Sequence, residues 1–161
     1  MAADEQFGLM PLDRLLNSTV ELDQCVVHAD HRAGQAVSLL RNGLGKYLYL
    51  TGYRYLLGAV PVDAGDGGRN AATVWDLALG RFLAPANRRC RPRQPVPIGR
   101  LDRTATPTLP PALRAALRLG GKVCGPPALN GRTATADFLL LIDVQESSWR
   151  DLRQTALLPA H

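Results

Sequence analysis

The residue types most suited to chemistry lie between Val20 and Val37, in the run Val-Glu-Leu-Asp-Gln-Cys-Val-Val-His-Ala-Asp-His-Arg-Ala-Gly-Gln-Ala-Val. A strand-like stretch enters a short turn carrying Arg32 and Gly34, and a helical pattern follows at once. Backbone N–H groups at a helix N-terminus are unpaired and sit at the positive end of the helix dipole, so such a turn can bind phosphate. Gly34 permits close approach of a ligand to the backbone, and Arg32 adds a charged donor. Ordinary strand-to-helix turns share these features, and the turn alone leaves both readings open. In the same stretch Cys25, His28 and His31 have the spacing Cys-x-x-His-x-x-His, which suggests zinc. Residues three apart on a strand point to opposite faces, and no second ligand cluster completes a tetrahedral site, so no metal is expected. His28 also reads as a hydrogen-bonded histidine at a strand end. No Gly-x-Ser-x-Gly elbow supports a serine hydrolase. Cys124, in Lys-Val-Cys-Gly, reads as a small packed residue, since no histidine lies near it in sequence.

These residues need elements to hold them. Thr19 to Val27 is rich in β-branched residues and predicts a strand. Ala36, Val37, Leu40, Leu44, Tyr47 and Leu48 recur at three- and four-residue steps, which predicts an amphipathic helix over 34–50, stopped by Gly52. Tyr55 to Val62 is a continuous apolar run, as in a strand buried on both faces. A loop, Asp63 to Gly68, leads to a second helix over 70–82, with Asn70 as its expected cap. Pro110-Pro111 opens a short helix ending near Leu119, and Lys122 to Cys124 and Phe138 to Val144 predict two closing strands. The order β-α-β-α-α-β-β indicates an α/β or α+β domain with a mixed central sheet.

Length and composition bound the reading. The 161 residues suffice for one packed domain, 1–161, and no more than that. Charged residues make up 20% and apolar ones 46%, which excludes disorder of the whole chain. No apolar run approaches the roughly 18–20 residues of a membrane-spanning helix, and at most peripheral membrane contact is expected. The acidic start and three scattered cysteines predict a cytoplasmic protein without a disulfide framework. The net charge of +5 is uneven. Arg88, Arg89, Arg91, Arg93, Arg100 and Arg103 cluster in a Pro-rich connecting segment, 84–109, which cannot form a regular helix and reads as an extended surface connection. Such a run is either a solvated loop or a docking surface for an acidic partner. No aromatic residue interleaves it, so nucleic acid is not expected as the partner.

Read together, several blocks resemble the hemolysin-like acyltransferases, a group that includes the ornithine–acyl carrier protein N-acyltransferases and has the GNAT fold. They are Glu21-Leu22 followed by Cys25 to Gly34, Leu39-Leu40 with Gly43-Leu44, Gly52 to Gly58, Leu117 to Ala128, and Thr135 to Asp143. They keep their order across roughly residues 5 to 144. The resemblance implies a transfer of a fatty acyl group from acyl carrier protein, or coenzyme A, to the amine of an amino acid such as ornithine, as in ornithine-lipid synthesis. It implies no permanently bound cofactor, since the acyl thioester is a substrate. Glu21 would accept the amine proton, directly or through water. Exposed N–H groups near Val26 and Val27 would stabilise the oxyanion, a contribution of roughly 2.7–4 kcal/mol per donor in comparable sites. His28 and the turn His31, Arg32, Ala33, Gly34, Gln35 and Ala36 would hold the phosphate of the donor. The patch at Arg88, Arg89, Arg91 and Arg93 would suit an acidic carrier protein.

The chain departs from the family pattern at several positions. Asp23-Gln24 stands where Gly-Arg or Ser-Arg is usual, Ala29 replaces Pro, His31 replaces Tyr, and Asn130 to Ala134 replaces a segment with Asp-Arg and an aromatic residue. The resemblance also implies a fold whose N-terminal half is lacking here, so that this chain is the C-terminal half of a GNAT-type sheet. The strand at Thr19 would then lie at a sheet edge with its apolar face partly uncovered. A longer reading frame, a degenerate remnant and a homodimer that completes the sheet would each account for this. A non-catalytic fragment or interaction protein is the rival reading. Acyl-homoserine lactone synthase-like chemistry is a further alternative that shares the Glu-Leu strand start, but the Val-Cys-Gly-Pro-Pro block favours the N-acyltransferases.

Overall fold

The structure, a computed structural model, describes residues 1–23 and 35–145, and of residues 35–41 the backbone only. It is an α+β arrangement around a mixed five-stranded sheet. Strand β2 (Thr19–Glu21) pairs parallel with β3 (Tyr55–Asp63), and β3 pairs antiparallel along its whole length with β7 (Thr135–Asp143). The other edge of β7 carries β5 (Lys122–Val123) and β6 (Ala128–Asn130), one after the other. Parallel neighbours need a long crossover, and helix α3 (Gln35–Thr51) supplies it between β2 and β3. Gly52, at φ +72°, ends α3 with its N–H on the Leu48 carbonyl.

The apolar run of β7 is explained by burial on both faces. Leu139 and Leu141 join Tyr55 and Leu57 of β3 in one cluster, while Phe138 and Leu140 face the opposite way. The second face is covered by α4 (Arg69–Arg81), through Ala71, Ala72, Val74 and Ala78, and by Leu113 of α5 (Pro111–Arg118). Leu48 of α3 packs beside them on Leu56 and Ile142.

The first face differs from expectation. It is covered by the N-terminal segment, made of α1 (Ala3–Gln6), β1 (Phe7–Gly8), a 3-10 turn over Met10–Leu12, and α2 (Asp13–Leu16). Phe7, Leu9 and Leu12 are at most 5% exposed and pack on Tyr55, Leu57, Leu139 and Leu141. The face over the N-terminal ends of β2 and β3 is therefore not left open.

Two further expectations are corrected. The Pro-rich segment is no mere surface connection: its strand β4 (Arg91–Pro92) pairs with β1, and Cys90, Val96 and Ile98 are buried. Alternating polar and apolar residues let it run along the core while its arginines stay outside. Asn70 does not cap α4 with its side chain. Asp66 takes that role, accepting the N–H groups of Gly68 at 2.9 Å and Asn70 at 2.7 Å. The Asn70 amide instead clamps the backbone of Thr108, accepting its N–H at 2.8 Å and donating to its carbonyl at 3.0 Å. Among the described residues no helix is long and apolar enough to cross a membrane.

Candidate functional site

The site begins at the end of β2, where it lies against β3. Their register runs Thr19 to Tyr55, Val20 to Leu56 and Glu21 to Leu57, and closes with the Leu22 N–H on the Leu57 carbonyl at 2.8 Å. The next residue of β3 is Gly58, and a Cβ there would lie 2.9 Å from the Leu22 carbonyl oxygen. A glycine is what permits the two backbones to approach so closely. Beyond this point β3 continues to Asp63 against β7, whereas β2 has ended among the described residues.

Glu21 is the last residue of β2, half-buried, and its carboxylate is already engaged. Oε2 accepts the Ala2 N–H at 2.9 Å and Oε1 the Ala3 N–H at 2.6 Å. These are unpaired donors of the first turn of α1, and no side chain of the helix itself caps them. An ionised carboxylate offers about four lone-pair sites, so two remain for an incoming donor. Val26, Val27, His28, His31, Arg32, Ala33 and Gly34 lie outside the described residues, as does the Cys25, His28, His31 constellation. Gln35 and Ala36 form the start of α3. Among the described residues no group of three or more His, Cys, Asp or Glu could hold a metal.

The arginines divide by what they touch. Arg89 donates to the Ala84 carbonyl at 2.8 Å, Arg93 to the Asp4 carbonyl at 2.7 Å, and Arg103 to the Asp76 carboxylate at 2.8 Å. Arg93 and Arg103 hold the Pro-rich segment to the rest of the chain, and Arg89 braces the segment internally. Arg91 and Arg100 are exposed. Arg88 lies over the Tyr55 ring at 5.5 Å, with Arg54 over the same ring at 5.1 Å. Arg54 also clasps Asp143 at 2.7 Å. Burial pushes the Asp143 carboxyl up, but the hydrogen bonds from Arg54 and Gln145 and the charges of Arg54 and Arg88 outweigh it and hold it below its usual value.

Cys124 is fully buried, and burial pushes its thiol up to about 12, that of Cys90 to about 11. A thiol so desolvated is no nucleophile at neutral pH. The Cys-Gly-Pro-Pro block is a packing device: the Cys90 N–H donates to the Cys124 carbonyl at 2.6 Å, and Gly125 sits at φ +130° against Cys90. A Cβ at residue 125 would fall 2.2 Å from the Cys90 carbonyl oxygen. The motif was visible in sequence, but its partner lies in the Arg/Pro segment, where no pattern announces it.

A mixed sheet with a parallel β2–α3–β3 crossover and a carboxylate at the end of the edge strand is consistent with part of a GNAT-like fold. The chain is related in sequence to the ornithine acyltransferases. It is 32% identical over 156 residues to the L-ornithine N(alpha)-acyltransferase of Rhodobacter capsulatus, a match covering 90% of this chain and 58% of that relative. The chain thus spans less than two thirds of the relative's length. No family model matches the chain, and no solved structure matches it.

Proposed function

We propose that this chain carries the acyl-transfer half of an N-acyltransferase, moving a fatty acyl group from an acyl carrier protein or coenzyme A thioester to the amine of an amino acid such as ornithine, in the cytoplasm. The observation that carries the reading is the 32% identity with an ornithine acyltransferase across nine tenths of the chain. In the proposed step the neutral amine nitrogen attacks the thioester carbonyl, its proton passes to Glu21, the C–S bond breaks, and the leaving thiolate takes that proton from Glu21 to depart as the thiol. Val26 and Val27 would present N–H groups to the oxyanion, and His28 with the turn His31 to Ala36 would hold the donor's phosphate. The place of Glu21 at the end of β2, with Gly58 of β3 packed closely against Leu22, supports this reading, because it sets a carboxylate at the end of a strand next to the stretch that would carry the donors. Arg91 is the member of the arginine patch best placed to meet an acidic carrier protein, since it is exposed, whereas Arg88 lies half-buried over Tyr55 and Arg89 and Arg93 bind within the chain.

The rival, a non-catalytic fragment, draws on two observations: the match covers 58% of the relative, and Glu21 caps α1. One experiment separates them. The purified chain is incubated with acyl carrier protein thioester and ornithine, and thiol release and N-acyl product are followed together. Turnover of both supports the enzyme. No thiol release combined with no carrier binding removes it for this chain.

A further inference from the structure

On the face of the sheet that bears Glu21, the register row Glu21, Leu57, Leu141, Lys122 crosses four strands. Three spacings of roughly 4.8 Å place Lys122 about 14 Å from Glu21 along that row. There Lys122 lines a small cleft with Ala84, Pro85, Arg88, Gly120 and Asp143, floored by Leu141. Three cations, Arg54, Arg88 and Lys122, gather at this end of the sheet around one carboxylate. That carboxylate is taken: Asp143 accepts Arg54 through both oxygens and the Gln145 N–H besides. Arg88 and Lys122 are half-buried, and among the described residues neither makes a side-chain hydrogen bond or close ion pair with a carboxylate or carbonyl, although the charge of Arg88 acts on Asp143. A half-buried guanidinium held against an aromatic ring keeps five N–H donors in a fixed fork, suited to two oxygens of one anion. One carboxylate, already bonded to Arg54, offsets only part of the positive charge lining this cleft, and a bound anion would offset more of it.

We propose that the cleft between the 84–88 turn, β5 and the end of β7 binds a compact oxyanion, a carboxylate or a phosphate monoester, through Arg88 and Lys122. Arg54 is withheld from the ligand by Asp143 and sets the local potential. The cleft, lined also by Ala84, Pro85 and Gly120, has a volume of about 30 Å³, so it takes one small charged group and not a bulky ring. Nothing in this assignment depends on Glu21 or on acyl transfer, and a chain without transferase activity would leave it standing.

The test is a titration of the full 161-residue chain with inorganic phosphate, with acetate and, at matched ionic strength, with chloride, read by amide chemical shifts in an assigned NMR spectrum. Saturable shifts at Gly120, Lys122 and Asp143 are expected with phosphate, acetate or both, and the arm that saturates names the ligand class. Lys122→Met and Arg88→Met should each weaken half-saturation about tenfold, while Arg132→Met in the exposed β6–β7 turn leaves it unchanged. If Arg88→Met unfolds through loss of its contact with Tyr55, Lys122→Met decides the matter. Shifts that stay linear, that chloride reproduces, or that survive the Lys122 change overturn the site and reduce Arg88 to a lid on Tyr55.

Discussion

The substitution Glu21→Gln separates the two roles that meet on one side chain. As a cap, Glu21 accepts two N–H groups at 2.9 and 2.6 Å. Glutamine keeps one acceptor oxygen and turns an NH2 toward the other N–H, so one bond is lost and a donor faces a donor. Losing an N-terminal cap costs about 0.5–2 kcal/mol. For a chain of this size that corresponds to a fall in Tm of roughly 1–8 °C, at about 2–4 °C per kcal/mol. As a proton acceptor, Glu21 is worth about 10²–10⁴ in rate, or roughly 2.7–5.4 kcal/mol at 1.36 kcal/mol per decade.

The two effects cannot be confused. With a typical stability of about 5–15 kcal/mol, a loss of 2 kcal/mol leaves more than about 99% of the molecules folded, and kcat per molecule hardly changes. The assay is thiol release with acyl carrier protein thioester and ornithine, run beside a circular-dichroism melt of the same sample. The expected outcome is a lowered Tm together with a kcat reduced by at least about a hundredfold. A lowered Tm with kcat within about threefold of the parent would refute the catalytic role and leave Glu21 as a cap. An unchanged Tm would refute the cap.

Other outcomes follow from the packing and the titrating groups. Gly125→Ala places a Cβ 2.2 Å from the Cys90 carbonyl at a left-handed φ, and should cost about 3 kcal/mol or more, measured as the urea midpoint; a loss below 1 kcal/mol would mean the 84–92 segment can shift freely. Cys90 and Cys124 keep their protons in the folded chain to about 11 and about 12, whereas the unfolded chain releases them near 9, so stability falls as pH rises above about 9. The slope approaches about 1.4 kcal/mol per pH unit per thiol, and the double change Cys90→Ala, Cys124→Ala should flatten it in urea melts between pH 8 and 10.5. Asp143 has its pKa lowered in the folded state, so its contribution is present above about pH 4 and is lost as pH falls through the lower folded value. Because Arg54 is 45% exposed, Asp143→Asn should cost only about 1 kcal/mol at pH 7 and progressively less as pH falls through the lowered folded value.

What could be read from the sequence was what repeats. The three- and four-residue steps of α3 and the unbroken apolar runs of β3 and β7 reflect burial of a stripe or of both faces, and the observed bounds, Gln35–Thr51, Tyr55–Asp63 and Thr135–Asp143, lie within a few residues of those expected. The N-terminal cover was not legible, because α1, β1 and α2 are each four residues or fewer and carry no period. Their stability comes from Phe7, Leu9 and Leu12 entering a cluster built by residues distant in the chain, and from a β1–β4 pair whose second strand lies in an Arg/Pro run. Asn70 was misplaced for a related reason: a cap is a local signal only when the nearest suitable side chain wins, and here Asp66 reaches over a left-handed Gly68 to take the position.

Glu21 shows the same limit at the site itself. Its type and place were readable, but its partners, two backbone N–H groups of residues 2 and 3, have no side-chain identity for a pattern to find. The physical consequence is a coupling. The donors that hold the carboxylate belong to a four-residue helix anchored by Ala3 and Phe7 against the β-sheet core, so anything that loosens that anchor also releases the carboxylate. A proton acceptor works only when held within hydrogen-bond reach of the proton it takes. Phe7→Ala, which removes the largest fully buried side chain of the segment, should therefore lower kcat through the freed Glu21 as well as lowering stability. Under acyl transfer to ornithine, the kcat loss measured at 10 °C, where the variant is folded, should exceed what its folded fraction explains. If kcat follows folded fraction alone, the N-terminal cover serves the core and not the carboxylate.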